Sequence, residues 1–161
     1  CIDGAQSLGM FPIDLRDINP DFYASSGHKW LFGPKGTGVL FINKNIIEHI
    51  APVFAGAYTD SKFDLNTLTM EYRNSAQREE YGTRNTPITL GIGSAIDFIN
   101  TIGIDIVAKR GRELVTRFRK GVANTPEIEF LTPESDLYSA SMITIRIKDK
   151  DNLKLNPELN K

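Results

Sequence analysis

Two short apolar runs end in clusters of small and polar residues, and these run-ends constrain the fold more than anything else in the chain. The first is Cys1-Ile2, followed by Asp3-Gly4-Ala5-Gln6. The second is Asp21-Phe22-Tyr23-Ala24-Ser25, followed by Ser26-Gly27-His28-Lys29-Trp30. Both read as short buried strands with a turn at the carboxyl end. In open α/β sheets, ligands bind beyond the carboxyl ends of strands. Asp3, Ser26, His28 and Lys29 therefore stand where site residues are expected. Small side chains at the second exit let the backbone approach a ligand. Gly27 permits the tight turn that lets Ser26 and His28 point inward. Taken singly, Asp3 also suits a helix N-cap or a turn, His28 a buried structural histidine, and Lys29 a surface lysine. Taken together, an acid, a carboxamide, a hydroxyl, an imidazole and an amine argue for one site.

That set meets the needs of chemistry based on pyridoxal 5'-phosphate (PLP). A lysine amine condenses with the cofactor aldehyde, and an acid keeps the pyridine nitrogen protonated so that the ring acts as an electron sink. Donors grip the phosphate. Asp3-Gly4-Ala5-Gln6 with Ser26-Gly27-His28-Lys29 resembles the class V aminotransferase family. That family includes cysteine desulfurases, selenocysteine lyases, isopenicillin N epimerase-like proteins and several transaminases. Tyr81-Gly82-Thr83-Arg84-Asn85-Thr86-Pro87 resembles the same family's later glycine–threonine motif. The resemblance runs from the first residue to about Ile147. It implies an α/β chain forming part of the PLP-dependent transferase type I fold. Residues 1–103 would belong to the large PLP-binding domain. Residues 104–161 would form a bridging helix and the start of a small α+β C-terminal domain. It also implies a full chain more than twice this long, of which the sequence reads as an internal part.

The resemblance assigns roles residue by residue. Lys29 is the Schiff-base lysine and, once displaced by substrate, the neutral amine that acts as general base at the substrate Cα. Asp3 faces the pyridine nitrogen, and Gln6 the ring hydroxyl or imine side. A carboxylate beside a pyridinium keeps both charged, and a carboxamide donates to a phenolate oxygen. Ser26 and His28 become phosphate donors. Thr83 would reach across a homodimer interface to the partner's cofactor phosphate, supported by its place near a helix start. Thr86, directly before Pro87, suits the helix cap. Arg84 replaces a proline common in desulfurases; it meets a substrate carboxylate or is a surface charge. The substrate is an amino acid, and transamination, C–S or C–Se cleavage and epimerisation stay open. The Lys29-Trp30-Leu31 form tilts toward the epimerase-like branch. A persulfide-accepting cysteine would lie beyond the end of this chain, and Cys1 is not assigned that role. The rival reading is a non-catalytic PLP-fold binding protein, against which the intact Asp3, Gln6, His28 and Lys29 set argues.

Other classes fall away. Lys35 precedes Gly36, so Gly33 to Gly38 is not a P-loop, and Phe41 stands where a dinucleotide fingerprint needs its third glycine. A net charge of −1 gives no reason to expect nucleic acid or a membrane surface. No apolar run reaches transmembrane length. A single cysteine excludes an internal disulfide framework and fits a reducing, cytoplasmic setting. Residues 12–20 read as a connector whose Asp14, Arg16 and Asp17 are solvated charges. Trp30 reads as a packing residue under the lysine loop, residues 39–42 as a strand, and residues 45–49 as one helical turn. Residues 52–73 read as irregular, and residues 71–80 as polar and partly exposed. Helical periodicity follows from Pro87 through Ile88, Ile92, Ala95, Ile96 and Ile99. Gly91 and Gly93 there suggest close packing. After Gly103 a helix over 105–123 carries a solvated basic face. Residues 127–131 and 141–147 read as strands, and the charged residues 149–161 as an end without a core.

Overall fold

The computed structural model of the protein describes residues 1–152 and Leu155. The chain divides into two compact units, Cys1–Thr101 and Ile102–Lys161. In the first, β1 (Ile2–Asp3), β2 (Phe22–Ser26) and β3 (Gly38–Ile42) form a sheet in the order β1-β2-β3. β1 runs parallel to β2, and β3 antiparallel to it. Alternation drives β2 into the sheet: Tyr23 and Ser25 are buried on one face, while Phe22, Ala24 and Ser26 turn to the other. Asp3 pairs with Ala24. Ser26 is two residues beyond Ala24, so Asp3 and Ser26 share a face at the carboxyl end of parallel strands.

Several connections carry more structure than their composition suggests. Residues 12–20 contain α1 (Leu15–Ile18), capped by Asp14, whose Oδ1 accepts from the backbone N–H groups of Arg16 and Asp17. Asn19 closes it in the left-handed conformation at φ 47°. Asp14 is therefore a cap, not merely a solvated charge. The stretch 52–73 is not irregular throughout. It holds a hairpin of β4 (Asp60–Asp64) and β5 (Thr69–Tyr72), with a register shift between Asp60 and Lys62. The Asp64 carboxylate nucleates its turn by accepting from Asn66 and Thr67 N–H. A bulge and mostly polar strands hide such a hairpin from periodicity.

The polar stretch after it buries Arg78, which is 3% exposed within a 3-10 turn over Ala76–Glu79. Its guanidinium donates to the carbonyls of Ile47 and Ile50 and lies 3.5 Å from the Glu79 carboxylate. α2 (Thr86–Ile102) is capped by Asn85, whose Oδ1 accepts from Ile88 N–H at 3.3 Å. Thr86 is thus the first helical residue and not the cap. Ala95 and Ile99 are buried, whereas Ile96 is exposed. A Cβ on Gly91 would fall 2.5 Å from Pro34 Cγ, so the helix does press closely there; at Gly93 nothing lies within 4 Å. Phe98 meets Phe32 edge to face at 6.2 Å.

In the second unit, α3 (Ile104–Gly121) starts after Gly103, whose φ of 93° breaks the preceding helix. β6 (Ile128–Phe130) and β7 (Ile145–Ile147) pair antiparallel. The expected alternation over 142–147 is present, with Ile143, Ile145 and Ile147 the more buried set, but only its last three residues form a strand. Phe118 packs edge-on against Phe130. Arg119 leaves the solvated basic face: it donates to the carbonyls of Thr132 and Pro133 and lies 4.7 Å over the Phe130 ring. The expectation for residues 149–161 lies largely outside the described residues. Among the described residues, no single helix is long and apolar enough to cross a membrane.

Candidate active site

The Asp3 turn is built around the Gly4 peptide. Gly4 N–H donates to Ala24 C=O at 2.7 Å, extending the β1–β2 pairing by one bond. Gly4 C=O accepts from Ser7 N–H at 2.9 Å, Ser7 Oγ at 3.0 Å and Ser25 Oγ at 2.8 Å. The buried Tyr23 ring lies flush with Gly4, where a Cβ would come within 2.2 Å of it. Its hydroxyl bonds Ser7 Oγ at 3.0 Å. These contacts fix the backbone on either side of Asp3. The Asp3 carboxylate is exposed and accepts from Ala5 N–H through one oxygen at 2.9 Å, which leaves the other available.

The lysine loop is closed at its base. Gly27 N–H donates to Thr37 C=O at 2.9 Å, and Gly33 N–H to Gly27 C=O at 2.8 Å. Between them Phe32 N–H donates to Lys29 C=O at 3.0 Å, with Phe32 at φ 63°. Thr37 is buried and bonds Pro34 C=O; a Cβ on Gly27 would strike its hydroxyl at 2.4 Å. Glycine is thus required at 27 by close approach. The closed base pushes His28 and Lys29 outward, and both are exposed. Among the described residues, the side chains of Ser26, His28, Lys29 and Thr83 make no hydrogen bond or ion pair.

The two segments lie against each other. Gly9, at φ 85°, approaches the Leu31 backbone so closely that a Cβ would sit 2.6 Å from its N and Cα. Trp30 is partly buried, as a packing residue should be, and its Nε1–H also donates to Gln6 Oε1 at 3.0 Å. An open cleft of about 1110 Å³ in the first unit is lined by Asp3, Ser26, Thr83 and Arg84. Gln6, His28 and Lys29 are not among its walls. The structure therefore groups the expected residues in two sets, one lining the cleft and one on the adjoining loops, with Ser26 at the junction. Arg84 stacks on Tyr81 at 5.3 Å and donates to Glu79 C=O at 3.4 Å.

A family model for class-V aminotransferases matches residues 1–161. The chain belongs to the class-V aminotransferase family. Among its relatives, a cysteine desulfurase of Enterobacter sp. (strain 638) is 34% identical over 134 residues, which are 83% of this chain and 32% of that protein. A probable cysteine desulfurase of Pyrococcus abyssi is 36% identical over 75% of this chain and 30% of its own length. The apo structure of a cysteine desulfurase from Thermococcus onnurineus NA1 superposes with a TM-score of 0.84 at 26% identity, over 98% of this chain and 39% of that one. The chain spans about a third of the length of the curated relatives it matches. Its α/β fold is the corresponding part of the PLP-dependent transferase fold, and PLP is the cofactor of this class-V family, covalently linked to glycine in one solved neighbour, a C-DES mutant.

The residues present fit that cofactor. Lys29 offers an amine, Ser26 a hydroxyl and His28 an imidazole without hydrogen-bond partners among the described residues, and Asp3 a carboxylate oxygen beyond the one that Ala5 N–H engages. Gln6 shows its amide nitrogen as the unengaged end, because its oxygen is held by an indole that can only donate. What sequence reasoning missed is the support beneath. Tyr23, Ser7 and Ser25 converge on Gly4, and Gly9 abuts Leu31.

Proposed function

We propose that the full-length protein is a PLP-dependent enzyme acting on an amino acid, and that its reaction is cysteine desulfuration or a closely similar C–S cleavage. The supporting observation is the pairing of the Asp3, Gln6, Ser26, His28 and Lys29 set with two relatives, a cysteine desulfurase at 34% identity and a probable cysteine desulfurase at 36%. When bound, the cofactor supplies an electron sink for negative charge at the substrate Cα. Lys29 anchors it, and its released Nζ takes and returns the Cα proton. Asp3 holds the proton on the pyridine nitrogen, and Gln6 donates to the ring oxygen. Ser26 and His28 bind the phosphate, joined by Thr83 from the second subunit of a homodimer. Arg84 pairs with the substrate carboxylate in this reading, the alternative being the exposed charge that stacks on Tyr81.

The test uses the full-length protein. Reduction with borohydride followed by peptide mapping should find a phosphopyridoxyl group on Lys29. Screening amino acids with dithiothreitol present should then yield alanine from cysteine, with the released sulfane sulfur reduced to sulfide by the dithiol. An adduct on Lys29 with inverted Cα and no sulfide would move the protein to the epimerase-like branch toward which Lys29-Trp30-Leu31 tilts. No adduct on Lys29 in a folded, PLP-containing protein would overturn the catalytic reading and leave a binding protein.

A further inference from the structure

We infer that Trp30 is a positioning residue for the cofactor, acting through Gln6. The inference rests on the reading that Gln6 faces the cofactor ring, and goes beyond it by naming what sets the direction of the amide. A glutamine side chain on an exposed turn can present either end of its carboxamide. The oxygen end would repel an anionic ring oxygen, and the nitrogen end would donate to it. An indole N–H has no acceptor character, so whichever atom faces it must be the amide oxygen. With Trp30 Nε1 at 3.0 Å from Gln6 Oε1, the NH2 end is the one left to project from the turn.

The same bond has a second consequence. Gln6 and Trp30 are 24 residues apart, one on the Asp3 turn and one beside Lys29. Their bond joins the segment that carries the acid to the segment that carries the amine. The backbone contact of Gly9 with Leu31 sets the distance between those segments. The Trp30–Gln6 bond then sets the orientation of a polar group across it. Trp30 is the sole tryptophan of the sequence, and neither phenylalanine nor leucine could supply this donor.

The experiment compares Gln6→Ala, Trp30→Phe and the double variant in the full-length protein reconstituted with PLP. Two readouts are taken apart from turnover: the dissociation constant of PLP from the apo-protein, and the pH midpoint of the visible absorption band of the Lys29-bound cofactor. Losing the donor leaves an anionic ring oxygen that holds a neighbouring proton more firmly, so the midpoint moves to higher pH. One hydrogen bond corresponds to about threefold to tenfold in affinity and roughly 0.3–1 pH unit. Expected is a shift in Trp30→Phe of the same sign as in Gln6→Ala, with the double variant no worse than Gln6→Ala alone. A merely structural Trp30 would lower stability and leave the midpoint in place. If Gln6→Ala shifts the midpoint and Trp30→Phe does not, the role of Trp30 is wrong and the assignment of Gln6 stands. If neither shifts it while Lys29 still carries PLP, the Gln6 assignment falls, and the Trp30 inference with it. Should Trp30→Phe fail to fold, benzothienylalanine at position 30 replaces only the indole N–H by sulfur and is read in the same way.

Discussion

The contact that brings the acid-bearing and amine-bearing segments together can be tested at Gly9. Substituting alanine there meets two obstacles. At φ 85° an L side chain is strained, at a cost of about 1–2 kcal/mol. The new Cβ would also lie 2.6 Å from Leu31 N and Cα and 2.7 Å from Trp30 C. Ordinary carbon contacts lie near 3.5–4.0 Å. The obstructing atoms are backbone, which has no rotamer to move away, so overpacking adds roughly 1–3 kcal/mol. Gly9→Ala should therefore cost about 2–5 kcal/mol and displace the Asp3 turn from the lysine loop. Gly36 supplies the control. Its φ is 84°, but nothing lies within 4 Å of its Cβ position, so Gly36→Ala isolates the backbone strain at about 1–2 kcal/mol. Denaturant unfolding of the apo form of the full-length protein measures both, and PLP titration measures the displacement. Gly9→Ala should be the less stable of the two and the weaker in PLP binding. Equal destabilisation with equal PLP affinity would refute the close approach of the two segments.

Two further perturbations probe the support around the cleft. Arg78→Ala leaves the carbonyls of Ile47 and Ile50 without their donor. At about 1–3 kcal/mol for a buried unsatisfied group, and less for the part-buried Ile50 carbonyl, it should lower unfolding stability by roughly 1–5 kcal/mol, measured by the shift in denaturant midpoint; a loss below about 0.5 kcal/mol would count against the clamp. Asn85→Ala should cost about 1 kcal/mol as a lost helix cap, whereas Thr86→Ala, inside the first turn, should be near neutral. The opposite ranking in thermal melts would return the cap to Thr86.

The candidate residues could be picked out of the sequence because their chemistry is local. Asp3 and Gln6 are three residues apart, Ser26, His28 and Lys29 are near neighbours, and each group follows an apolar run short enough to be a strand. The parallel pairing of Ile2 and Asp3 with Tyr23 and Ala24 then follows from two strands that both carry polar residues at the carboxyl end. The hairpin of β4 and β5 was not legible, because a bulge breaks its period and exposed polar residues carry no alternation. Nor was the burial of Arg78. Composition marks arginine as exposed, and the two carbonyls brought to it from residues 47 and 50, with the Glu79 carboxylate 3.5 Å away, make burial tolerable. Asn85 and Thr86 show the same limit at closer range. Both are good capping residues, and choosing between them takes the hydrogen bond to Ile88 N–H.

Trp30 joins these two kinds of information. Its aromatic bulk beside Lys29 marks it as a packing residue from sequence alone. Its N–H acquires meaning only when the fold brings in Gln6, across 24 residues of chain. A residue type can be read from its neighbours, but a directed donor needs the acceptor in place. The lysine loop shows why that acceptor is in place. Gly27 and Gly33 close the loop at its base, Gly9 lets the first segment lie against Leu31, and the indole beside Leu31 is thereby carried to the Asp3 turn. Three glycines whose missing side chains allow close approach thus position the polar groups of the site. Changes at those glycines should therefore perturb cofactor binding as strongly as changes at the polar residues themselves.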